Sequence, residues 1–308
     1  MMKKVNVLVS TYNGEKYIHE QFDSLLQQTY GNIDVYVRDD GSNDNTLAVI
    51  DEYCEKSNPN IRFIKVETEN KNLGYPDCFW ELVRVVPSAD YYAFCDQDDW
   101  WYPEKIENAV SALEKIDASV PAMTYCQFDY YNQEMEYLRK GDTYANLNFL
   151  KGMYYTFAPG FTQVVNRKLV EKLDFNFIFK KHLAHDIWCQ WIATSLGTVI
   201  QQEKVLAKYR RHEKAVTSSN QGKFSSLKYW WEKEIKGDEM KKWKQSLMYF
   251  YEAYENEFSN SLKKELILFT DDKTSINGKI KKVFYKEKLR PTKGGDLALR
   301  ILFLLNVC

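Results

Sequence analysis

The sequence of 308 residues lacks a dominant charge and a long hydrophobic run. It holds 42 Lys and Arg residues against 43 Asp and Glu residues, for a net charge of −1. No global basic field is therefore available to attract nucleic acid. No apolar stretch is long enough to span a bilayer. The stretch at residues 5–9 is also too short for a secretory signal, and no cleavage-like region follows it.

Three cysteine and glycine motifs are missing as well. None of the six cysteines forms a CxxC pair, and several lie inside apolar segments. Buried reduced thiols in a cytosolic protein therefore fit better than a disulfide framework or a zinc site. Neither GxxxxGK[ST] nor GxGxxG occurs. The sequence is thus neither a P-loop protein nor one with the dinucleotide-binding glycine fingerprint.

Short apolar segments alternate with polar loops and amphipathic helical patterns in the first third of the chain. We predict strands at residues 5–9, 33–37, 61–66 and 91–95, and helices at 17–28, around Val49 to Tyr53, and at 77–86. Asp44 or Ser42 is expected to cap the second helix. This alternation predicts an α/β fold, with a mainly parallel sheet and helices on both faces.

Acidic loops follow several of these strands. The fourth predicted strand ends in Asp96-Gln97-Asp98-Asp99, and the second ends in Asp39-Asp40. The carboxyl ends of parallel strands meet at one edge of a sheet, where ligands bind. Clustered carboxylates repel one another, and oxygen ligands suit Mg²⁺ or Mn²⁺ shared with substrate phosphates. The alternative is an acidic loop in which Asp99 caps the helix that begins near Pro103.

The later chain has a looser pattern. We predict a helix at 104–116, strands at 122–128 and 161–166, a hairpin or mobile loop at 129–148, and a helix opened by His185-Asp186. Two further short strands are expected at 198–200 and 205–209. Composition shifts near Ser218, which suggests a domain at 1–217 followed by a helical, Lys-rich and aromatic region at 218–308, with helices at 224–231 and 240–258.

The final region, residues 279–308, combines basic clusters with an apolar run at 297–305. Such a segment fits the interface of a membrane with anionic headgroups. The alternative is that it packs on the globular domain or on an identical subunit.

The motifs together resemble those of the family 2 glycosyltransferases, which have the GT-A fold. They are VLVSTYNG at 7–14, RDDGSNDNT at 38–46 and DQDD at 96–99, followed in order by HD at 185–186 and YRRH at 209–212. The resemblance covers about residues 5–215. The wording CDQDDW at 95–100 and the YRRH ending look most like bacterial rhamnosyltransferases that build surface polysaccharides.

The resemblance implies a nucleotide site. Thr11 and Tyr12 would flank the base, and Asp40 would accept a hydrogen bond from the ring N–H of uracil or thymine, with Asp39 nearby. Such a charge-assisted bond is worth about 1.5–3 kcal/mol. Asp96 would contact the ribose. The alternative for both Asp39 and Asp40 is turn formation beside Gly41.

The resemblance also implies a metal site. Asp98 would bind Mn²⁺ or Mg²⁺ that bridges the diphosphate, and His212 is a second candidate ligand. Arg210 and Arg211 are candidates for diphosphate or acceptor binding, and the alternative for His212 is a satisfied surface histidine. The aromatic candidates for stacking on sugars are Trp100, Trp101 and Trp188, although large aromatic side chains more often belong to the core.

Asp186 matches the general base of inverting members of the family. It would take the proton from an acceptor hydroxyl that attacks the anomeric carbon. The alternative is a carboxylate favoured by the helix dipole in a first turn. The chain departs from the family pattern after Asn72-Leu73-Gly74, where Tyr75-Pro76 replaces the usual Lys or Asn facing the donor.

The resulting expectation is an inverting glycosyltransferase at the cytosolic face of the cell membrane. The favoured donor is dTDP-L-rhamnose, followed by UDP-galactose or UDP-glucose, and the acceptor is a lipid-linked or polymeric glycan of the cell surface. The competing classes are a sugar nucleotidyltransferase, which would have a Gly-rich loop after the first strand, and a non-catalytic membrane scaffold.

Overall fold

The computed structural model describes residues 2–67, 72–144, 147–212, 237–270 and 276–305. The chain divides into two compact units. The first comprises the described parts of Met1–Thr143 and Ala158–Ala215, and the second those of Tyr144–Phe157 and Val216–Cys308. The segment 144–157 thus joins the second unit. Two predictions lie outside the described residues, namely the domain boundary at 217 and the helix at 224–231. Residues 68–70, which follow the third predicted strand, also lie outside them.

The first unit begins with the predicted alternation of strands and helices. Its elements are β1 (Val5–Thr11), α1 (Ile18–Leu26), β2 (Ile33–Asp39), α2 (Thr46–Glu55), β3 (Ile61–Lys65), α3 (Asp77–Val85), β4 (Tyr91–Cys95), β5 (Trp100–Trp101) and α4 (Lys105–Leu113). The first two strands continue two residues beyond their predicted ends, so Thr11 and Asp39 are still paired within the sheet.

The remaining elements follow in order. They are β6 (Ala122–Tyr131), β7 (Tyr137–Lys140), α5 (Phe149–Gly152) of the second unit, a 3₁₀ turn (Gly160–Thr162), β8 (Gln163–Asn166), α6 (Arg167–Val170), α7 (Phe175–Lys181), α8 (His185–Leu196) and β9 (Thr198–Arg210). Of the two expectations for residues 129–148, the structure supports the hairpin, because β7 pairs antiparallel with β6. The two late strands were wrongly separated: β9 is continuous, with irregular pairing that interrupts its sequence pattern.

Among the described residues, the strands form one sheet of nine. Its order is β3-β2-β1-β4-β8-β6-β9-β5, with β7 beside β6. Strands β3, β2, β1 and β4 are parallel, whereas β8 runs antiparallel to both β4 and β6. The predicted α/β fold with a mainly parallel sheet is therefore confirmed. Because β1, β2 and β4 run the same way, the loops that follow them emerge at one edge, including the acidic loops after β2 and β4.

Both faces of the sheet are covered by helices. Side chains alternate between the faces along a strand. On one face, Val5, Val7 and Val9 belong to a core that also contains Phe22 of α1 and Ile50 of α2. On the other face, Phe94 of β4 contacts Phe79 of α3 and His185 of α8, with ring centroids 6.1 and 4.5 Å apart. The second contact places the start of α8 at the sheet.

Neither predicted helix cap is present in the expected form. Helix α2 begins at Thr46 after Asn45, which makes no side-chain cap bond, although Asp44 accepts a hydrogen bond from the Thr46 N–H at 3.0 Å. Asp99 does not cap α4, because its carboxylate accepts the backbone N–H of Arg210 at 3.0 Å. The alternative of a simple capping loop after β4 is therefore wrong for Asp99.

The described part of the second unit is helical. Besides α5 it contains α9 (Glu239–Tyr254), α10 (Asn260–Thr270), α11 (Ile276–Val283) and α12 (Lys293–Leu304). Aromatic rings form its core, as in the contact of Phe269 with Phe303 at 5.7 Å. Within the described ranges, no helix combines the length and apolar character needed to cross a membrane.

Candidate active site

Three carboxylates crowd the carboxyl end of β4. Burial raises the pKa of Asp96 to about 7, with further contributions from the charges of Asp98 and Asp186. Asp99 is completely buried, and burial together with its acidic neighbours raises its pKa well above the ordinary value. These residues concentrate negative charge where little water can stabilise it, and a cation would relieve that repulsion.

His212 completes this cluster from two residues beyond the end of β9. Its Nε2 lies 2.7 Å from Oδ2 of Asp98, and its ring packs on Tyr17 with centroids 4.9 Å apart. Adjacent ligands of an octahedral ion with bonds of 2.0–2.1 Å lie about 3 Å apart. The pair therefore fits two positions around one divalent cation. Within the described residues, no group of three or more His, Cys, Asp or Glu forms a complete metal site.

Arg210 anchors the acidic loop from beneath. Its side chain is buried and donates to the Asp98 carbonyl at 2.8 Å, the Gln133 carbonyl at 2.6 Å and the Glu20 carboxylate at 2.6 Å. The guanidinium group also lies over the ring of Tyr17. All of these partners belong to the protein, so Arg210 holds the loop that carries Asp98. Arg211 is half-buried, with its guanidinium beside the Tyr209 ring.

Asp39 builds the loop after β2. Its carboxylate accepts hydrogen bonds from the Thr11 hydroxyl at 2.9 Å, from the Ser42 hydroxyl, and from the N–H groups of Gly41 and Ser42 at 3.0 and 2.8 Å. A carboxylate has about four acceptor positions, and these four donors use them. The geometry thus favours the turn-forming alternative for Asp39, while Thr11 is buried beneath the loop.

Asp40 is buried and connects β2 with the segment before α3. It pairs with the buried guanidinium of Arg38 and accepts the N–H groups of Leu73 and Gly74, each at 2.7 Å. Three donors leave about one acceptor position of this carboxylate for a ligand. Gly74 has φ of +69°, a left-handed conformation that glycine adopts without strain.

Gln97 joins the first and fourth strand loops. Its side-chain oxygen accepts the N–H of Tyr12 at 2.9 Å, and its side-chain nitrogen donates to the Tyr12 carbonyl at 3.1 Å. A Cβ atom on Gly14 would lie 2.2 Å from the same oxygen, so this approach requires glycine. The two bonds fix the backbone of Tyr12, whose side chain remains 47% exposed at the edge of the sheet.

Asp186 lies in the first turn of α8 and is half-buried. Its Oδ1 accepts the N–H of Ile187 at 2.8 Å and the hydroxyl of Tyr75 at 3.3 Å. Burial raises the pKa of Asp186 to about 6. The charge of Asp186 in turn raises the pKa of Asp96, so the two carboxylates lie within electrostatic reach. The structure therefore brings Asp186 to the acidic cluster of β4.

The predicted aromatic candidates divide by burial. Trp101 and Trp188 are almost fully buried. The Lys105 ammonium lies 3.4 Å from the centroid of Trp101, and Trp188 packs against Trp191 at 6.2 Å. Trp100 is half-buried, with the Lys208 ammonium 4.3 Å from its ring centroid. Trp100 is thus the member of this group with a surface available to a ligand.

A cavity of about 700 Å³ lies at the opposite edge of the sheet. It is lined by residues that precede β1 and β4, including Lys3 and Asp90. These two side chains pair with each other at 3.4 Å, and Lys168 in the same wall pairs with Glu171 at 3.0 Å. The cavity therefore does not share the carboxylates described above.

Several residues of the site were not identified from the sequence. Gln97 has no assigned role within the DQDD motif, Tyr17 only begins a predicted helix, and Tyr75 is only a departure from the family pattern. These three residues act through contacts with residues distant in sequence, which their immediate neighbours do not indicate. Arg38 acts through Asp40, which lies two positions away in the same motif.

A profile of glycosyl transferase family 2 matches residues 6–174, more than half of the chain. The dTDP-rhamnosyl transferase RfbG of Shigella flexneri is 28% identical over 242 residues, which are 74% of this chain and 82% of that protein. The UDP-Glc:alpha-D-GlcNAc-diphosphoundecaprenol beta-1,3-glucosyltransferase WfgD of Escherichia coli is 25% identical, with 76% and 85% covered. An uncharacterized glycosyltransferase of Rickettsia typhi is 26% identical, and the chain spans 66% of its length.

Solved structures share the fold. S. aureus TarS 1-349 in complex with UDP has a TM-score of 0.54 at 17% identity, with 99% of this chain and 90% of that chain covered. The mannosyltransferase PcManGT from Pyrobaculum calidifontis, in complex with GDP-Man and Mn²⁺, has a TM-score of 0.55 at 14% identity, with 99% and 75% covered. The fold is thus that of the GT-A enzymes. The chain belongs to glycosyltransferase family 2 and is a glycosyltransferase.

Proposed function

We propose that the protein is an inverting, metal-dependent glycosyltransferase that moves a sugar from a nucleoside-diphosphate donor to a hydroxyl of a bacterial surface glycan. The observation that carries this proposal is the meeting of Asp96, Asp98 and His212 with Asp186 at one edge of the sheet. Asp186 comes from α8, a different element from the loop after β4 that carries Asp96 and Asp98. This arrangement separates a diphosphate site from a base.

The nucleotide would occupy the edge formed by the loops after β1, β2 and β4. The remaining acceptor position of Asp40 suits the ring N–H of uracil or thymine, and Tyr12 offers an exposed ring beside it. Asp96 would accept from the ribose hydroxyls. Thr11 and Asp39 would support these contacts by fixing the loop after β2, which contains Asp40.

Asp98 and His212 would hold Mn²⁺ or Mg²⁺, with diphosphate and water oxygens as the other ligands. The donor set of carboxylate and imidazole is compatible with Mn²⁺. The bound ion supplies neutralisation of charge on the departing diphosphate. Arg210 keeps the Asp98 loop in place for this purpose, because it binds the Asp98 carbonyl.

In the transfer step, an acceptor oxygen attacks the anomeric carbon of the donor sugar. The bond from that carbon to the diphosphate oxygen breaks, and the nucleoside diphosphate leaves. The acceptor proton moves to the carboxylate of Asp186, which later releases it to water. A carboxylate with a pKa of about 6 is ionised at neutral pH but more basic than an ordinary aspartate, as a general base requires.

The favoured donor is dTDP-L-rhamnose, which the name of the Shigella relative supports. UDP-glucose is the second candidate, supported by the name of the E. coli relative, and UDP-galactose is the third. Both relatives' names concern activated sugars, and the second also names a lipid diphosphate acceptor. A lipid-linked glycan of the capsule or cell wall is accordingly the proposed acceptor.

The second unit is proposed to dock on the cytosolic face of the cell membrane, where such an acceptor would be held. Ile276, Ile280 and Phe284 are spaced four residues apart and therefore share one side of α11. Ile276 is 81% exposed and Phe284 is 78% exposed. Lys281 and Lys286 are exposed in the same segment. An apolar stripe with adjacent lysines suits an anionic lipid surface.

Helix α12 adds a second apolar stripe. Leu297, Ile301 and Leu304 are exposed on one side of it. The helix contacts α11, as shown by the Lys282 ammonium 5.9 Å from the Phe303 ring centroid. The predicted anchor at 279–308 also includes residues 306–308, which lie outside the described residues. An identical subunit is the alternative occupant of these stripes.

Release of the nucleoside diphosphate from dTDP-L-rhamnose, UDP-glucose and UDP-galactose, with Mn²⁺ and without acceptor, tests this function. We expect slow hydrolysis of one donor that stops with EDTA. Asp98→Ala should abolish turnover and metal-dependent binding of UDP or dTDP, whereas Asp186→Asn should abolish turnover alone. Formation of a nucleoside triphosphate and a sugar 1-phosphate on addition of pyrophosphate would instead indicate a nucleotidyltransferase. No binding of any donor would favour a scaffold, and normal turnover of Asp186→Asn would refute the base role.

A further inference from the structure

Tyr75 and the first turn of α3 contact the start of α8 and the residues just before it at three points. The Tyr75 hydroxyl donates to Oδ1 of Asp186 at 3.3 Å, across 111 positions of sequence. Asp77 pairs with His182 at 2.6 Å, and the Trp80 indole N–H donates to the Leu183 carbonyl at 2.5 Å. Side chains 75, 77 and 80 thus hold the five residues that end in the proposed base.

The residues around the start of α3 are also hydrogen-bonded to the loop proposed to bind the nucleotide. The N–H of Gly74 donates to Asp40 at 2.7 Å, and the N–H of Cys78 donates to the Gly74 carbonyl at 2.9 Å. Tyr75 therefore stands between the carboxylate proposed to read the base of the nucleotide and the carboxylate proposed to activate the acceptor. Tyr75 as a whole residue is nevertheless 52% exposed.

The two hydrogen bonds to Asp186 leave its carboxylate asymmetric. Both the Ile187 N–H and the Tyr75 hydroxyl donate to Oδ1. Among the described residues, no hydrogen bond reaches Oδ2. The protein therefore occupies one oxygen and presents the other, which is the arrangement needed by a base that receives a proton from a bound hydroxyl.

His185 supports this orientation without contributing charge. Its buried ring packs between Phe79 and Phe94, with centroids 4.4 and 4.5 Å away, and meets the edge of Tyr75 at 5.7 Å. Burial lowers the pKa of His185 to about 3, so the ring is neutral. A Cβ atom on Gly160 would lie 2.4 Å from Nε2 of His185, so the close packing depends on glycine there.

We propose that Tyr75 is a positioning residue of the transfer reaction, whose hydroxyl holds Oδ1 of Asp186 so that Oδ2 faces the acceptor. This inference rests on the proposed role of Asp186 as the base. The 3.3 Å separation is long for a hydrogen bond between oxygens, but catalytic contacts commonly tighten when substrates bind. The phenol also stabilises the ionised carboxylate, because it donates to it.

The test compares Tyr75→Phe with Tyr137→Phe, which removes a hydroxyl from an exposed tyrosine on β7. Turnover is followed from pH 4.5 to 8.5 with Mn²⁺ and whichever of dTDP-L-rhamnose or UDP-glucose the wild type hydrolyses. We expect Tyr75→Phe to lower kcat about tenfold at pH 7, through misplacement of the base. Its acidic limb should also move up by roughly 0.7 pH unit, which is the shift that corresponds to loss of a hydrogen bond worth about 1 kcal/mol.

Binding of UDP and dTDP with Mn²⁺ and the unfolding temperature should match the wild type, and Tyr137→Phe should match it throughout. An unchanged limb in Tyr75→Phe, together with an inactive Asp186→Asn, would overturn the positioning role and leave the base role intact. Normal turnover of Asp186→Asn would instead overturn both. A limb that moves in Tyr75→Phe but not in Tyr137→Phe would support the proposal.

Discussion

Nε2 of His212 lies 2.7 Å from Oδ2 of Asp98, although 114 positions separate the two residues in sequence. Strand β9 carries His212 to this place because its end pairs with the Trp100–Trp101 strand that follows the acidic loop. The end of the sheet's longest strand thereby closes the acidic site. Arg210, the last residue of β9, also holds this loop, because its side chain donates to the Asp98 carbonyl.

We expect His212→Ala to weaken Mn²⁺-dependent binding of UDP or dTDP by at least 10–100-fold, because loss of even an outer-shell partner has that effect. Metal-independent binding should change little. Isothermal titration with and without Mn²⁺ measures both. His19→Ala, which removes an exposed histidine from α1, is the control. Equal Mn²⁺ dependence in His212→Ala and wild type would remove His212 from the metal site.

Activity should depend on the ionisation of Asp186. Burial raises the pKa of its carboxylate from 3.8 to about 6, and only the ionised form can accept the acceptor proton. Below pH 6, kcat/KM should therefore fall about tenfold per pH unit. His185 stays neutral throughout this range and adds no second limb, whereas Asp96, with a pKa of about 7, adds its own titration to the profile. Constant activity between pH 5 and 7 would contradict the role of Asp186.

The same shift predicts a stability difference without ligands. The folded pKa of about 6 exceeds the ordinary value of 3.8, so folding takes up a proton between these values. The stability that protonation supplies is present below about pH 4 and lost as pH rises through 6. Asp186→Asn escapes this loss. It should be about 1–2 kcal/mol more stable than wild type at pH 7.5, with a smaller difference at pH 4.5, in urea unfolding.

Arg210→Lys should destabilise the protein by about 2–4 kcal/mol, because lysine cannot reproduce three divergent N–H bonds and leaves buried carbonyls unpaired. Urea unfolding measures the loss. Arg139→Lys alters an exposed surface pair with Asp142 and should change stability by less than about 1 kcal/mol. Similar values for both variants would show that Arg210 does not anchor the loop.

Phe284→Glu should reduce binding to vesicles that contain phosphatidylglycerol by roughly 10–100-fold, because a buried Phe side chain contributes about 1.5–3 kcal/mol. Added salt should weaken wild-type binding through screening of the lysines. Leu138→Glu, on the exposed β7, should bind as wild type does. Absence of vesicle binding, with a dimer that Phe284→Glu dissociates, would assign the stripe to a second subunit instead.

The parallel strands of the first half and the positions of its acidic loops followed from local pattern. Four short apolar segments separated by helices with one apolar face determine parallel pairing, because no short turn can join parallel strands. The prediction failed for β9, which was read as two strands. Its middle residues are polar and pair irregularly with β6, so the alternation that reveals a strand is interrupted.

The sequence by itself determined the family, the fold class and the acids at the strand ends, because these depend on nearest neighbours and on the period of apolar residues. Only the tertiary structure decided what each acid contacts. It directs Asp39 inward to its own loop, leaves part of Asp40 available, and joins Asp98 to His212 and Asp186 to Tyr75. The last two contacts join residues 114 and 111 positions apart, and they arise from how the sheet brings distant segments together rather than from any local preference.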